Sequence, residues 1–215
     1  MMVDYSLYLI ADADYAAGRD LVPLIEAGVA GGVTIVQLRA KSLPFLDFLA
    51  LGRRVAPVLK HHRIPLIIND RADVAMSCGA AGVHLGQDDL PLAVARRVMG
   101  ERMIIGVSVN TADEAREAER LGADYVGAGP AFETATKATD LPVLGPEGLR
   151  LIKQTVRIPV VAIGGITDRN AGLVREAGAD GIAVVSAILG APDPREAARR
   201  LKRIGYIPSS ARRIS

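Results

Sequence analysis

The segment PLIINDRADV, residues 65–74, changes abruptly from apolar to polar chemistry. Its apolar, β-branched run predicts a buried strand that ends in Asn69 and Asp70. A second run of this kind, in GVHLGQDD at 82–89, leads to Asp89. Mg²⁺ is usually bound in proteins by one or two carboxylates together with the phosphate oxygens of a substrate. Asp70 and Asp89 are therefore candidate ligands of a magnesium ion.

Positively charged side chains follow two other apolar runs. Arg39 and Lys41 end VQLRAK at 36–41, and Lys137 lies in FETATKATD at 132–140. Lysine and arginine would take the phosphate charge that the metal leaves uncompensated. Together with the carboxylates they predict a site for Mg²⁺ and a polyphosphate. The alternative is a structural ring of ion pairs on the same surface.

Two small-residue segments near the C-terminus fit a second phosphate. AIGGIT at 162–167 and VVS at 184–186 each end an apolar run. In (β/α)₈ barrels the loops after strands 7 and 8, with a short helix, often bind phosphate through backbone N–H groups. A tight turn that requires glycine is the alternative. The loop at 129–140 is rich in small residues, so it is either a mobile lid or an ordinary variable loop.

Helical stretches and apolar, strand-like runs alternate along the sequence. Helical stretches ending in Gly-Ala precede apolar runs at 78–86, 121–129 and 177–185. A Thr111–Glu114 capping box marks the start of a helix at 111–121, and further helices are expected at 44–60, 146–156 and 193–204. Eight strands are predicted in all, at 6–11, 33–38, 65–69, 82–85, 103–107, 124–128, 159–163 and 181–185. Eight such units favour an α/β fold, a single-domain (β/α)₈ TIM barrel, over a doubly wound open sheet, and place the polar strand ends at one mouth.

Composition narrows the class of protein. The 215 residues carry 26 Lys and Arg against 24 Asp and Glu, and only 4% are aromatic, which argues against a nucleic-acid binder. Cys78 is the only cysteine, so no internal disulfide can form, as suits a reducing cytoplasm. The N-terminus lacks the features of a signal peptide, and the longest apolar stretch, 181–191, is too short to span a membrane. We expect a cytoplasmic barrel over residues 1–205, a frayed tail over 206–215, and phosphorylated small molecules as partners. The oligomeric state stays open, a homo-oligomer included.

The motifs QLRAK, IINDRADVA, GVHLGQDD, GVS, GPAFETATK, AIGGI and GIAVVSAI occur in this order between residues 37 and 188. In this order they resemble the thiamine-phosphate synthase family. The resemblance implies a transferase that joins 4-amino-2-methyl-5-hydroxymethylpyrimidine diphosphate to 4-methyl-5-(2-hydroxyethyl)thiazole phosphate, or to its carboxylated form. The implied products are thiamine phosphate and pyrophosphate.

The resemblance also implies roles for residues of this chain. It makes Asp70 and Asp89 the Mg²⁺ ligands. The pyrimidine diphosphate is assigned to Gln37, Arg39, Lys41, Asn69, Ser108 and Lys137, of which Arg39, Lys41, Ser108 and Lys137 would be catalytic. The thiazole phosphate is assigned to Thr134, Thr136, Gly165, Val185 and Ser186.

One segment departs from the family pattern. Phe132-Glu133-Thr134 stands where the family often has Phe/Tyr-Pro-Thr, which loosens the loop and adds a negative charge. Three other functions are alternatives. A thiazole tautomerase or regulatory homologue would need no diphosphate site, a binding module would release no pyrophosphate, and a phosphosugar isomerase would need a proton-transfer pair.

Overall fold

Eight parallel strands close into a barrel in sequence order, and this confirms the predicted (β/α)₈ fold. The computed structural model describes residues 3–134, 136 and 140–205. The strands are Leu7–Asp12 (β1), Ile35–Arg39 (β2), Leu66–Asn69 (β3), Gly82–Leu85 (β4), Ile104–Val109 (β5), Tyr125–Ala128 (β6), Val160–Ile163 (β7) and Gly181–Val184 (β8). The predicted strands lie within about two residues of these bounds. The predicted tail, 206–215, and Lys137 lie outside the described residues.

Helices alternate with the strands around the barrel. They are Ala13–Ala16 (α1), Leu21–Ala30 (α2), Phe45–His61 (α3), Ala72–Cys78 (α4), Leu92–Met99 (α5), Ala112–Arg120 (α6), Gly145–Thr155 (α7), Ala171–Glu176 (α8), Ser186–Leu189 (α9) and Pro194–Gly205 (α10). The predicted capping box is present, because the Thr111 hydroxyl accepts from the Glu114 N–H while the Glu114 carboxylate accepts from the Thr111 N–H. Within the described residues, no helix is both long and apolar enough to cross a membrane.

The core has two parts because alternate strand residues point to opposite faces. A large apolar layer lies between the strands and the helices. A smaller cluster fills the barrel interior, and it includes Tyr8, Ile10 and Tyr125. The hydroxyls of Tyr8 on β1 and Tyr125 on β6 are 2.8 Å apart, so they meet across the interior. The barrel is thus packed inside, and its upper end is left for a binding site.

Glycine makes room for the aromatic part of this interior. A Cβ on Gly106 of β5 would lie 2.1 Å from Cζ of Tyr125 on the neighbouring strand. A Cβ on Gly127 of β6 would lie 3.0 Å from Cε1 of His84. These two glycines therefore allow large polar rings to sit inside the barrel just below its mouth.

Candidate functional site

The carboxyl ends of the strands enclose a cavity of about 500 Å³. Most of the site residues implied by the resemblance line it. They are Gln37, Arg39, Asn69, Ser108, Thr134, Thr136 and Val185. Gly165 and Ser186 directly follow the lining residues Gly164 and Val185. These residues therefore lie at the C-terminal face of the barrel, the face on which (β/α)₈ barrels carry their active sites.

The end of β2 places a cation in the cavity wall. Arg39 Nη1 donates to Asp12 Oδ2 at 2.6 Å and lies 3.9 Å from Asp14 Oδ2. Asp14 also accepts from the backbone N–H of Lys41 at 2.9 Å. Asp12 is buried and accepts from the N–H groups of Asp14 and Tyr15, which caps α1. The two aspartates thus fix the backbone and one side chain of the QLRAK segment.

Lys41, Asp70 and Asp89 form a second charged group at the ends of β2, β3 and β4. The ammonium of Lys41 forms an ion pair with Asp70, and Asp89 lies within hydrogen-bonding reach of the Asp70 carboxyl. Burial raises the pKa of the Asp70 carboxyl, Asp89 raises it further, and Lys41 opposes both effects. Two close, half-buried carboxylates repel each other, so a bound cation would stabilise this arrangement.

The local backbone conformation orients the carboxylates of Asp70 and Asp89. Asp70 has a left-handed φ of 61°, and its N–H donates to the carbonyl of His84 on the adjacent strand at 2.8 Å. Aspartate tolerates this conformation better than most residues. Asp89 Oδ2 accepts from the Gly86 N–H at 2.7 Å, which closes the turn after β4. Arg71, the next residue after Asp70, pairs instead with Asp73 on the surface.

A chain of hydrogen bonds crosses the barrel below the cavity. Gln37 Nε2 donates to the Tyr8 hydroxyl at 3.0 Å, and that hydroxyl lies 2.8 Å from the hydroxyl of Tyr125. The Tyr125 hydroxyl lies 2.9 Å from His84 Nδ1, and His84 Nε2 lies 2.9 Å from Ser108 Oγ. Burial raises the pKa of the Tyr8 and Tyr125 hydroxyls far above their ordinary value. These groups therefore stay protonated, and they link two residues that line the cavity.

The loop after β6 packs on the end of β7. Ala131 N–H donates to the carbonyl of Ile163 at 2.7 Å, and Phe132 N–H donates to that of Gly164 at 3.0 Å. A Cβ on Gly165, whose φ is 66°, would lie 2.3 Å from the carbonyl oxygen of Glu133. The glycine pair thus allows the loop to approach, and the Glu133 side chain points to solvent.

Asn110 secures the same loop from the end of β5. Its side-chain Nδ2 donates to the carbonyls of Gly129 and Pro142, each at 3.0 Å. Thr136 N–H donates to Thr134 Oγ1 at 3.2 Å, and both threonines line the cavity. At the end of β8 a short helix, Ser186–Leu189, begins directly after Val185.

Sequence reasoning missed several residues of this site. Asp12 and Asn110 are buried at the ends of β1 and β5, and Tyr8 and Tyr125 lie inside the barrel. The resemblance assigns no role to His84, yet both of its ring nitrogens have hydroxyl partners. Asp12 ends LYLIAD, so the strand-end argument applied to the first strand would have found it.

The chain is similar to known proteins over most of its length. The family model described as thiamine monophosphate synthase matches residues 7–188. The thiamine-phosphate synthase of Syntrophomonas wolfei is 48% identical over 201 residues, which cover 94% of this chain and 96% of that protein. The thiamine-phosphate synthase of Albidiferax ferrireducens is 50% identical over 198 residues, which cover 92% of this chain and 90% of that protein.

Solved structures agree with these matches. The thiamine phosphate pyrophosphorylase of Pyrococcus furiosus superposes with a TM-score of 0.87 at 40% identity, covering 94% of this chain and 96% of that one. A 3-hexulose-6-phosphate synthase reaches a TM-score of 0.69 at 24% identity, which reflects the barrel fold alone. The match to the family model over most of the chain and the identity to its relatives show that the chain belongs to the thiamine monophosphate synthase family.

Proposed function

We propose that this protein is a thiamine-phosphate synthase in the cytoplasm. It joins 4-amino-2-methyl-5-hydroxymethylpyrimidine diphosphate to 4-methyl-5-(2-hydroxyethyl)thiazole phosphate, or to the carboxylated thiazole, and releases pyrophosphate. The observation that carries the proposal is the position of Arg39 in the wall of a cavity of about 500 Å³, with the Lys41, Asp70 and Asp89 group at the ends of the same and the neighbouring strands. A site of this kind suits a diphosphate and a divalent cation.

The reaction breaks the bond between the pyrimidine methylene carbon and the diphosphate oxygen. The electron pair leaves with the diphosphate, and the ring amino group donates electron density to the methylene carbon. The thiazole nitrogen then forms the new C–N bond with its lone pair. Arg39 and Lys41 stabilise the departing charge, as would Lys137 and the hydroxyl of Ser108. Gln37 and Asn69 orient the pyrimidine. Because the thiazole nitrogen is the nucleophile, a protein nucleophile is not required.

Asp70 and Asp89 would hold Mg²⁺ together with the phosphate oxygens of the substrate. Their mutual proximity and partial burial fit a cation, since burial and Asp89 both disfavour the charged form of Asp70. When bound, the ion supplies positive charge to the leaving diphosphate. Lys41 stays beside Asp70 and turns its ammonium toward the same anion.

The thiazole phosphate would bind on the opposite side of the mouth. Thr134 and Thr136 offer hydroxyls, and Gly165, Val185 and Ser186 offer backbone N–H groups at the ends of β7 and β8. Nearby Gly164 and Val185 line the cavity, which supports this placement. The two substrates then meet inside one enclosed space, where the thiazole nitrogen can reach the methylene carbon.

The test is to mix the purified protein with both substrates, with and without Mg²⁺, and to measure thiamine phosphate and pyrophosphate. Mg²⁺-dependent formation of both products in equal amounts is expected. A thiazole tautomerase or regulatory homologue would bind the thiazole phosphate and release no pyrophosphate. That result would refute the synthase assignment.

A further inference from the structure

The hydrogen-bond chain from Gln37 to Ser108 has a direction, because each donor has a fixed number of hydrogens. The amide nitrogen of Gln37 can only donate, so the Tyr8 oxygen accepts from it. Tyr8 is buried, and its hydroxyl hydrogen needs an acceptor. Within the part of the chain that the structure describes, the Tyr125 hydroxyl at 2.8 Å is the acceptor in reach. Tyr8 therefore donates to Tyr125.

The same count of hydrogens determines which ring nitrogen of His84 carries the proton. Tyr125 has accepted from Tyr8, and its own hydrogen then goes to His84 Nδ1 at 2.9 Å. A neutral imidazole that accepts at Nδ1 carries its proton on Nε2. That N–H donates to Ser108 Oγ at 2.9 Å. Every link of the chain thus runs from β2 through the barrel interior to β5.

The two ends of the hydrogen-bond chain differ, because one can donate a hydrogen bond to a ligand and the other can accept one. Ser108 accepts from His84, so its hydroxyl hydrogen is left for a ligand in the cavity that Ser108 lines. Gln37 Nε2 donates one of its two hydrogens to Tyr8, and this bond fixes the orientation of the amide group. Its carbonyl oxygen Oε1 can then accept from a ligand in the cavity that Gln37 lines. A donor and an acceptor therefore face the same cavity from β5 and β2.

We propose that Tyr8, Tyr125 and His84 are positioning residues that give this hydrogen-bond chain a single direction, so that Ser108 donates to the departing diphosphate while Gln37 accepts from the amino group of the pyrimidine. The inference rests on the proposed function. Negative charge grows on the diphosphate and positive charge on the ring amino group as the carbon–oxygen bond breaks. Both end contacts strengthen in the transition state, and no proton moves along the chain.

The direction is measured by nitrogen NMR of the full-length protein labelled at its histidine rings. Variants at the exposed residues His61 and His62 assign the signals of the three histidines. We expect His84 to be neutral, with a bare Nδ1 and a protonated Nε2. Tyr125→Phe should perturb this state, because Nδ1 loses its donor.

Turnover supplies the second readout. Tyr125→Phe should lower kcat about tenfold with little change in KM, a smaller loss than the roughly hundredfold expected for Ser108→Ala. Tyr5→Phe is the matched control. Its ring stacks on Tyr125 with 4.9 Å between centroids, but its hydroxyl is not a link of the chain, so kcat and the histidine signals should stay as in the wild type.

A proton on Nδ1, a doubly protonated ring, or a Tyr125→Phe variant that turns over like Tyr5→Phe would each overturn the inference. The wild-type histidine signals decide the direction even if Tyr125→Phe does not fold. Failure of the synthase assignment looks different. The wild type would then form no thiamine phosphate from the two substrates, whatever the state of His84.

Discussion

Arg39 on β2 donates to the buried carboxylate of Asp12 on β1 at 2.6 Å, where the two strands end side by side. Asp12 also accepts from the N–H groups of Asp14 and Tyr15. One carboxylate therefore fixes both the start of α1 and the direction of a guanidinium in the cavity wall. Reactions that depend on positioning are sensitive to such a support.

Asp12→Asn should lower kcat/KM for the pyrimidine diphosphate by about tenfold to a hundredfold, because Arg39 loses its charged partner. The measurement is steady-state kinetics with the thiazole phosphate saturating. Asp113→Asn is the control, since it breaks an exposed ion pair with Arg116 on α6. Equal kinetics in both variants would show that Asp12 supports only the helix.

Asp70→Asn should weaken metal-dependent turnover, raising the Mg²⁺ concentration for half-maximal rate on the order of tenfold or more. The fold should stay intact, because removing one carboxylate relieves the repulsion with Asp89. Rates measured over a Mg²⁺ titration, with circular dichroism as a check on folding, decide this. Asp73→Asn, at a surface carboxylate paired with Arg71, should behave like the wild type. An unchanged titration for Asp70→Asn would remove it from the metal site.

Gly165→Ala should impair the thiazole side of the cavity. A methyl group at this position meets the carbonyl oxygen of Glu133 at 2.3 Å, so the loop must move away from β7. We expect KM for the thiazole phosphate to rise about tenfold while KM for the pyrimidine diphosphate changes little.

Gly178→Ala separates this collision from backbone strain. Gly178 also has a positive φ, 88°, but its Cβ would only contact Lys153 Cγ at 3.8 Å. Both variants should lose about 1 kcal/mol of stability for the strained conformation, and only Gly165→Ala should change KM. A KM that rises equally in both would assign the effect to general destabilisation.

Gly106→Ala should destabilise the fold by about 1–3 kcal/mol, because a methyl group there overlaps the buried Tyr125 ring. Denaturant unfolding gives the free energy directly. Gly172→Ala on α8 is the matched control, since open space surrounds its Cβ position. It should raise stability by about 0.5–1 kcal/mol through helix propensity. A Gly106→Ala variant as stable as Gly172→Ala would mean that the barrel interior is less tightly packed.

Alkaline titration should reveal the buried tyrosines. Burial raises the pKa of Tyr5, Tyr8 and Tyr125 above the ordinary value of about 10. The unfolded chain loses these protons near pH 10 and the folded chain keeps them, so the free energy of unfolding should fall as the pH rises above about 10. The tyrosinate absorbance of these three residues should appear only when the protein unfolds. A single ordinary transition for all five tyrosines would contradict this.

Local patterns were enough to predict the barrel. Gly-Ala helix ends and apolar runs located all eight strands, and the ends of the strands led to Asp70, Asp89, Arg39 and Ser108. These patterns are formed by residues that are close together along the chain, so they can be recognised from the sequence alone. The structure places Arg39 and Ser108 in the wall of one cavity and Asp70 beside Asp89, whereas their chemical roles stay predictions.

The interior hydrogen-bond chain was out of reach of such patterns. Tyr8 and Tyr125 are 117 residues apart, and each is an ordinary aromatic residue of a strand when read locally. Their meeting depends on barrel closure and on the space left by Gly106. One signal was present, since a tyrosine on the inner face of a strand needs a partner for its hydroxyl.

The cavity wall is divided into two unlike arcs. Strands β1 to β5 contribute the charged and amide side chains, whereas β6 to β8 contribute mainly glycine and aliphatic residues such as Gly164, Ile163 and Val184. An enzyme engineer could therefore reshape the second arc for a bulkier heteroaromatic nucleophile. The charged arc, which would activate the electrophile in the proposed reaction, would keep its sequence. With the exception of Lys137, which follows β6 in the sequence, the proposed roles would assign leaving-group chemistry to one arc and acceptor choice to the other, so each could be redesigned by itself.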